Sequence, residues 1–145
     1  MLSNTCKYGV RAVLYLAKTN HNEMVGLKKI SEDLSIPSPF LGKILQALAR
    51  QKLLYSTKGP KGGFSILFDP AKTSLLDIVT AIDGPDVFSQ CAIHNNSCKC
   101  MDKSKKACLV HEPYSEIRTR LYQLFRSKSI RELADDADQS VDIMI

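Results

Sequence analysis

Leu27-Lys28-Lys29-Ile30-Ser31-Glu32-Asp33-Leu34-Ser35-Ile36-Pro37-Ser38-Pro39-Phe40-Leu41-Gly42-Lys43-Ile44-Leu45-Gln46-Ala47-Leu48-Ala49-Arg50 is the stretch on which the fold turns. Leu27, Ile30 and Leu34 recur at helical spacing, with Lys28, Lys29, Glu32 and Asp33 on the wet side. Pro37 disfavours a helical conformation at the residue before it, so Ser35-Ile36-Pro37 closes this short helix. A second helix starts at once, with Ser38 placed as N-cap and Pro39 at the first helical position, where its missing N–H costs nothing. Leu41, Ile44, Leu45 and Leu48 form its buried stripe, which leaves Gly42, Lys43, Gln46, Ala47 and Arg50 facing outward. Two short helices joined by a three-residue turn make a helix-turn-helix pattern.

Upstream, Val10, Val13, Leu14 and Ala17 form one stripe of a helix from about Asn4 to Lys18, and 21–24 is a polar break. Downstream, Leu53–Thr57 and Phe64–Phe68 are strand-like, joined by Lys58-Gly59-Pro60-Lys61-Gly62-Gly63. A fourth helix spans Ser74 to Asp83, capped by Ser74 and stopped by Gly84-Pro85. Residues 86–112 have no usable periodicity. A long helix follows Pro113 to about Ser127, with Ile117, Leu121, Leu124 and Phe125 on one face, then a short helical turn over Ser129–Ala134. The acidic end from Asp135 is expected to be frayed. The fold class is therefore mainly α with a small β-hairpin: a winged helix-turn-helix over 1–84, a cysteine-rich loop over 85–112, a helical unit over 113–134 and an acidic tail over 135–145.

The 145 residues are 44% hydrophobic, enough for a core and against global disorder. No run of eighteen apolar residues exists and the first residues lack a signal-peptide pattern, so a cytoplasmic protein with no membrane partner is expected. In that compartment five cysteines are free thiols or metal ligands more often than disulfides. The net charge of +5 is unevenly spread: residues 1–72 hold 11 Lys/Arg against 4 Asp/Glu, and residues 73–145 hold 9 against 11. A basic first half suits a polyanion.

A recognition helix enters a major groove about 12 Å wide, so its outer face favours small residues beside hydrogen-bonding ones. Gly42, Lys43, Gln46 and Ala47 meet that demand: Gln46 suits a base edge and Lys43 a phosphate or a guanine. Ser38 and the N–H groups at the helix start suit a phosphate, with Lys28 a further contact. At the wing, Gly59 lets the main chain approach a minor groove while Lys58 and Lys61 meet its negative potential. Each lysine alone reads as an ordinary solvated charge. Their placement across a turn, a helix face and a glycine hairpin points to double-stranded DNA.

Five blocks of sequence carry a family resemblance. They are Tyr8-Gly9-Val10-Arg11-Ala12, Ile36-Pro37-Ser38-Pro39-Phe40-Leu41, Lys58-Gly59-Pro60-Lys61-Gly62-Gly63-Phe64, Ser74-Leu75-Leu76-Asp77-Ile78-Val79 and Asp83-Gly84. In content and spacing they closely resemble the IscR/NsrR superfamily of winged-helix regulators, over all but about the last dozen residues. The resemblance implies a transcriptional regulator, expected to repress. It also implies a homodimer whose long C-terminal helices cross, bound to a pseudo-palindromic operator. The stripe Ile117, Leu121, Leu124, Phe125 agrees, its alternative being packing on the same chain's core. In some relatives an acidic residue near the start of the recognition helix tunes base preference. Gly42 stands there in this chain, so an operator sequence does not carry over.

Cys91, Cys98, Cys100 and Cys108 lie within eighteen residues, and His111 follows Cys108 by three. Thiolates bind soft metals and iron–sulfur clusters. The resemblance implies a cluster held by Cys91, by Cys98 or Cys100, and by Cys108, with His111 as fourth ligand. Family spacing puts about five residues between successive cysteines, whereas the gaps in this chain are six, one and seven. An additional thiol is present, and four loop cysteines with His111 a bystander is a further arrangement. In another branch an acidic residue before the N-terminal tyrosine is the fourth ligand. Lys7 stands there, so a 2Fe–2S centre is favoured over nitric-oxide-sensing 4Fe–4S chemistry. Zinc, or redox-active thiols without metal, stay open. Lys99, Lys103, Lys105 and Lys106 would lower nearby thiol pKa values in any of these cases. Cys6 is placed either to reach a partner subunit's loop or as a small, partly buried thiol, and His94 reads as a solvated loop residue.

No enzyme is expected. Cys108 with His111 is the candidate thiol–base pair, and no glycine-rich phosphate motif accompanies it. A protein–protein adaptor on the same fold is the competitor from another class.

Overall fold

The computed structural model describes residues 2–19, 23–91 and 110–139. The order is α1 (Asn4–Lys18), α2 (Leu27–Leu34), α3 (Ser38–Arg50), β1 (Leu54–Thr57), β2 (Gly63–Ile66), α4 (Leu75–Asp83), a 3-10 turn (Pro85–Phe88), α5 (His111–Ser127) and α6 (Ile130–Gln139).

Helix α1 is the central pillar. Its buried arc, Cys6, Gly9, Ala12, Val13, Leu14, Leu16 and Ala17, is wider than one stripe because α2, α3, α4, β2 and α6 all pack around it. Ser3 caps it by accepting from the Cys6 N–H at 3.0 Å, and the Ser3 N–H donates to Asp83 at 2.8 Å. The start of α1 is thereby tied to the end of α4.

The turn between α2 and α3 is built from backbone. Ser35 is left-handed at φ 52, its N–H donates to the Glu32 carbonyl, and the Ile36 N–H reaches back to Ser31 at 3.0 Å. Ile36, 1% exposed, plugs the turn into the core. Arg11 of α1 donates to the Leu34 carbonyl at 3.0 Å, satisfying an acceptor that the end of α2 leaves open. One expectation is corrected here. Pro37, not Ser38, is the residue before α3, and the Ser38 hydroxyl donates to the Ser31 hydroxyl at 2.7 Å instead of capping.

The hairpin pairs Leu54 with Ile66 and Thr57 with Gly63 in antiparallel register. Val25 adds a further rung at the other edge of β2 by exchanging two backbone hydrogen bonds with Phe64, at 3.0 and 2.9 Å. β2 is buried throughout, whereas β1 buries only Leu54 and exposes the other three residues. Helix α4 begins in a full capping box, with the Ser74 N–H donating to Asp77 at 2.8 Å and the Asp77 N–H to the Ser74 hydroxyl at 3.2 Å. Gly84, at φ 87, stops it.

The C-terminal third departs from expectation in two respects. α5 begins at His111, two residues before Pro113, because the first turn of a helix has no N–H partners for a proline to disturb. The segment after it is a helix running to Gln139, so residues 135–139 are helical where fraying was expected. This helix also returns to the protomer's own core. Lys128–Ile130 pairs with Thr73–Leu75 through bonds of 2.8 and 2.9 Å, and Ile130 (0% exposed) and Ala134 (2%) close the core cluster. Burying an isoleucine removes about 1.5–3 kcal/mol of apolar exposure, which anchors α6 to the winged domain rather than to α5.

Candidate nucleic-acid interface and cysteine site

Lys43, Gln46 and Arg50 share one exposed face of α3 at i, i+3 and i+7. Gly42 does not. It is buried, and a Cβ there would meet Leu27 Cδ2 at 3.2 Å, so this glycine sets the close approach of α2 to α3. Ala47 is half-buried and, with Ile44 and Ile82, lines a small recess between α3 and α4. The outward face is thus narrower and more cationic than the apolar spacing suggested. Ser38 is half-buried and its hydroxyl is occupied by Ser31.

At the wing tip Lys58, Gly59 and Lys61 are exposed. Gly59 adopts φ 105, a conformation that favours glycine, and its carbonyl accepts from the Gly62 N–H at 2.9 Å. Lys28 is exposed on α2, 3.9 Å from Glu32. Between Leu34 and Phe68 the chain holds five cations, Lys43, Arg50, Lys52, Lys58 and Lys61, and no carboxylate. A count of charge by element would have found Lys52, which the helix-face reading passed over, and would have added the outward-facing Arg50 to the DNA contacts.

Of the proposed ligand set, Cys91 and His111 are described, both half-exposed. Cys98, Cys100 and Cys108, with His94, Lys99, Lys103, Lys105 and Lys106, lie outside the described residues. Among the described residues no three metal-binding side chains come together. Arg118 of α5 ties down the chain leading to Cys91, with Nη1 3.3 Å from the Ser89 carbonyl and 3.2 Å from that of Gln90. Its guanidinium also sits 5.8 Å from the centre of the Tyr114 ring. His111 opens the same helix, so both ends of the 92–109 segment are attached to α5. A thiol and an imidazole held this way are donors suited to iron or zinc.

Cys6 has a different environment. It is 0% exposed, and burial, then the charge of Asp83 and a hydrogen bond to it, push its thiol from 9.0 up to about 12. Such a thiol stays protonated and is a poor ligand for a partner's loop. The sign for stability follows from linkage. The unfolded chain ionises first, so this contribution is complete below pH 9 and is lost as pH rises toward 12. The wild-type urea midpoint should fall faster than that of Cys6→Ala between about pH 9 and 11; parallel curves would contradict it.

On α5, Ile117 is 63% exposed, Leu124 51% and Leu121 39%. Only Phe125 is half-covered, edge-on to Phe88 at 5.5 Å. Beside this face lies an apolar groove of about 320 Å3, lined chiefly by Leu2, Val87, Phe88, Ile117 and Leu121. No described element of the chain covers it.

The family profile Rrf2, whose description reads iron-dependent transcriptional regulator, matches residues 2–136. A protein of Aquifex aeolicus named as a helix-turn-helix transcriptional regulator is 30% identical over 133 residues, covering 92% of this chain and 90% of that one. Two solved structures share the fold. CymR, the global cysteine regulator of B. subtilis, superposes with a TM-score of 0.76 at 20% identity, over 94% of this chain and 97% of that one. IscR of T. potens superposes at 0.73 and 19%, over 98% and 93%. Among the described residues no helix is long and apolar enough to cross a membrane. With the helix-turn-helix, the wing and a profile match over nearly its whole length, the chain belongs to the Rrf2 family of transcriptional regulators.

Proposed function

We propose that this regulator binds a pseudo-palindromic operator as a homodimer and represses from it, with the state of the 92–109 segment setting its affinity. The observation that supports DNA binding most directly is the carboxylate-free run from Leu34 to Phe68, which puts five cations on α3, the following turn and the wing. α3 enters the major groove, where Lys43 and Gln46 meet base edges, and the wing tip places Lys58, Gly59 and Lys61 at the adjacent minor groove. Ser38, through its backbone N–H, and Lys28 are assigned to flanking phosphates. In the dimer the α5 faces bearing Ile117, Leu121, Leu124 and Phe125 cover one another.

The family description speaks for iron, and a cluster bound by Cys91, Cys98 or Cys100, Cys108 and His111 would supply a centre whose oxidation or loss is the signal. This chain's own residues convert that signal into geometry. Arg118 clamps Ser89 and Gln90 to α5, so a pull on Cys91 is felt by the helix that sets the spacing of the two recognition helices. A metal-free thiol switch is the second reading, for which an oxidized form of the like-folded CymR of Staphylococcus aureus is the support.

The test is protein purified without air, with its absorption spectrum, iron, sulfide and zinc measured on one sample and its affinity for its own promoter region titrated against salt. Coloured protein with stoichiometric iron and sulfide, whose affinity changes when the colour is lost, is expected. Colourless protein that binds equally in all redox states overturns the sensing reading. A salt-independent affinity overturns DNA binding and favours a protein adaptor.

A further inference from the structure

Between the C-terminal half of α3 and strand β1 runs an open cleft of about 570 Å3. Gln46 and Arg50 line it from the helix, Lys52 from the turn, and Tyr55 and Lys58 from the hairpin; no carboxylate lines it. We propose that this cleft seats one sugar–phosphate strand of duplex DNA, with Arg50, Lys52 and Tyr55 as phosphate contacts. The proposal rests on the DNA reading above and adds a site between the recognition helix and the wing.

Three observations lead there. The first is the geometry of the duplex, in which a major groove and the neighbouring minor groove are separated by a single backbone. With Gln46 at the major groove and Lys58 at the minor groove, the strand between them crosses the cleft that both residues line. The second is charge. Among the described residues Arg50, Lys52 and Lys58 are in no ion pair, unlike Lys28, Lys29 and Lys72, which lie 3.9, 3.0 and 3.7 Å from carboxylates. Tyr55 of β1, 52% exposed, lines the same cleft and adds a neutral hydrogen-bonding group to it.

The third is the backbone at Lys52. The Lys52 N–H donates to the Ala49 carbonyl at 3.0 Å and the Leu53 N–H to the Leu48 carbonyl at 3.1 Å, the pair of hydrogen bonds that ends a helix on a left-handed residue. Glycine is the usual occupant of that position. Lysine stands there at φ 59, at a conformational cost that glycine would not carry, and its side chain lines the cleft.

The experiment uses the full-length protein and a mixed-sequence duplex of about 30 base pairs, room for two half-sites a helical turn apart. Anisotropy titrations between about 50 and 300 mM potassium chloride give the slope of log affinity against log salt. Arg50→Ala and Lys52→Gly should each flatten that slope by about 0.9 per lost contact, or about 1.8 in a two-fold dimer, equally on unrelated duplexes. Lys52→Gly should melt at or above the wild-type temperature, so its weaker binding is not unfolding. Tyr55→Phe should weaken binding a few-fold with the slope unchanged, as an uncharged contact must. Lys72→Ala, outside the cleft and paired with Asp69, should leave the slope alone. A steep wild-type slope retained by both Arg50→Ala and Lys52→Gly overturns the cleft and leaves the DNA reading standing. A wild-type slope near zero overturns both.

Discussion

Gly63→Ala is expected to lower the melting temperature by about 6–12 °C and to weaken DNA binding through the wing. Gly63 opens β2 where the strand passes against Val25, and a Cβ there would overlap the Val25 carbonyl and the Gly26 nitrogen. Both are main-chain atoms, so no side chain can swing aside. Relief requires β2 to move off the Val25 rung, losing the hydrogen bonds of 3.0 and 2.9 Å and uncovering Val25 and Phe64, now 5% and 7% exposed. Two backbone bonds at about 0.5–1.5 kcal/mol each, with partial loss of apolar burial, come to about 3 kcal/mol. For a chain of this size each kcal/mol moves the melting point by about 2–4 °C. Gly26→Ala is the control. Nothing lies within 4 Å of a Cβ there and its φ is −65, so its melting point should stay close to wild type. A Gly63→Ala protein that melts with the wild type would show that the rung does not hold the wing.

Charging the open face of α5 should have the larger effect on binding. Ile117→Asp combined with Leu121→Asp is expected to yield monomers by sedimentation and to lower operator affinity on the order of 100-fold or more, since the second half-site is then no longer bound as part of the same molecule. The two side chains are 63% and 39% exposed in the protomer, so neither is needed for its core. The far-UV spectrum should therefore survive, while a dimer face built on apolar contact would not accept four carboxylates. A variant that remains dimeric, with unaltered affinity, would place the dimer interface elsewhere.

The two C-terminal helices show where reading a sequence stops. Ile117, Leu121 and Leu124 on one helix, and Ile130 and Ala134 on the next, are apolar positions of the same kind. Periodicity marks both faces as ones to be covered, yet it does not say by what. Ile130 is covered by α1 of its own chain, and Ile117 by nothing described within it. Gly42 and Cys6 follow the same rule. A glycine beside an exposed lysine reads as outward-facing until the approach of Leu27 is known, and a thiol near the start of α1 reads as either available or partly buried until its burial beside Asp83 decides it. The cleft with Lys52 and Tyr55 unites residues of a turn and a strand that no single helical face connects.

What the sequence determined by itself is what short-range chemistry controls. Pro37 ends one helix and starts another, Ser74 with Asp77 caps α4, Gly84 stops it, and the glycines from 59 to 63 turn the hairpin. Each depends on a few neighbouring residues and on backbone sterics alone, which is why the helix-turn-helix and its wing were legible. The tertiary structure decided which apolar faces are spent on the protomer and which are left over, because burial is a relation between distant segments. Among the described residues it returned α6 to α1, left the Ile117–Leu121 face of α5 uncovered, and anchored both ends of the cysteine segment to that helix.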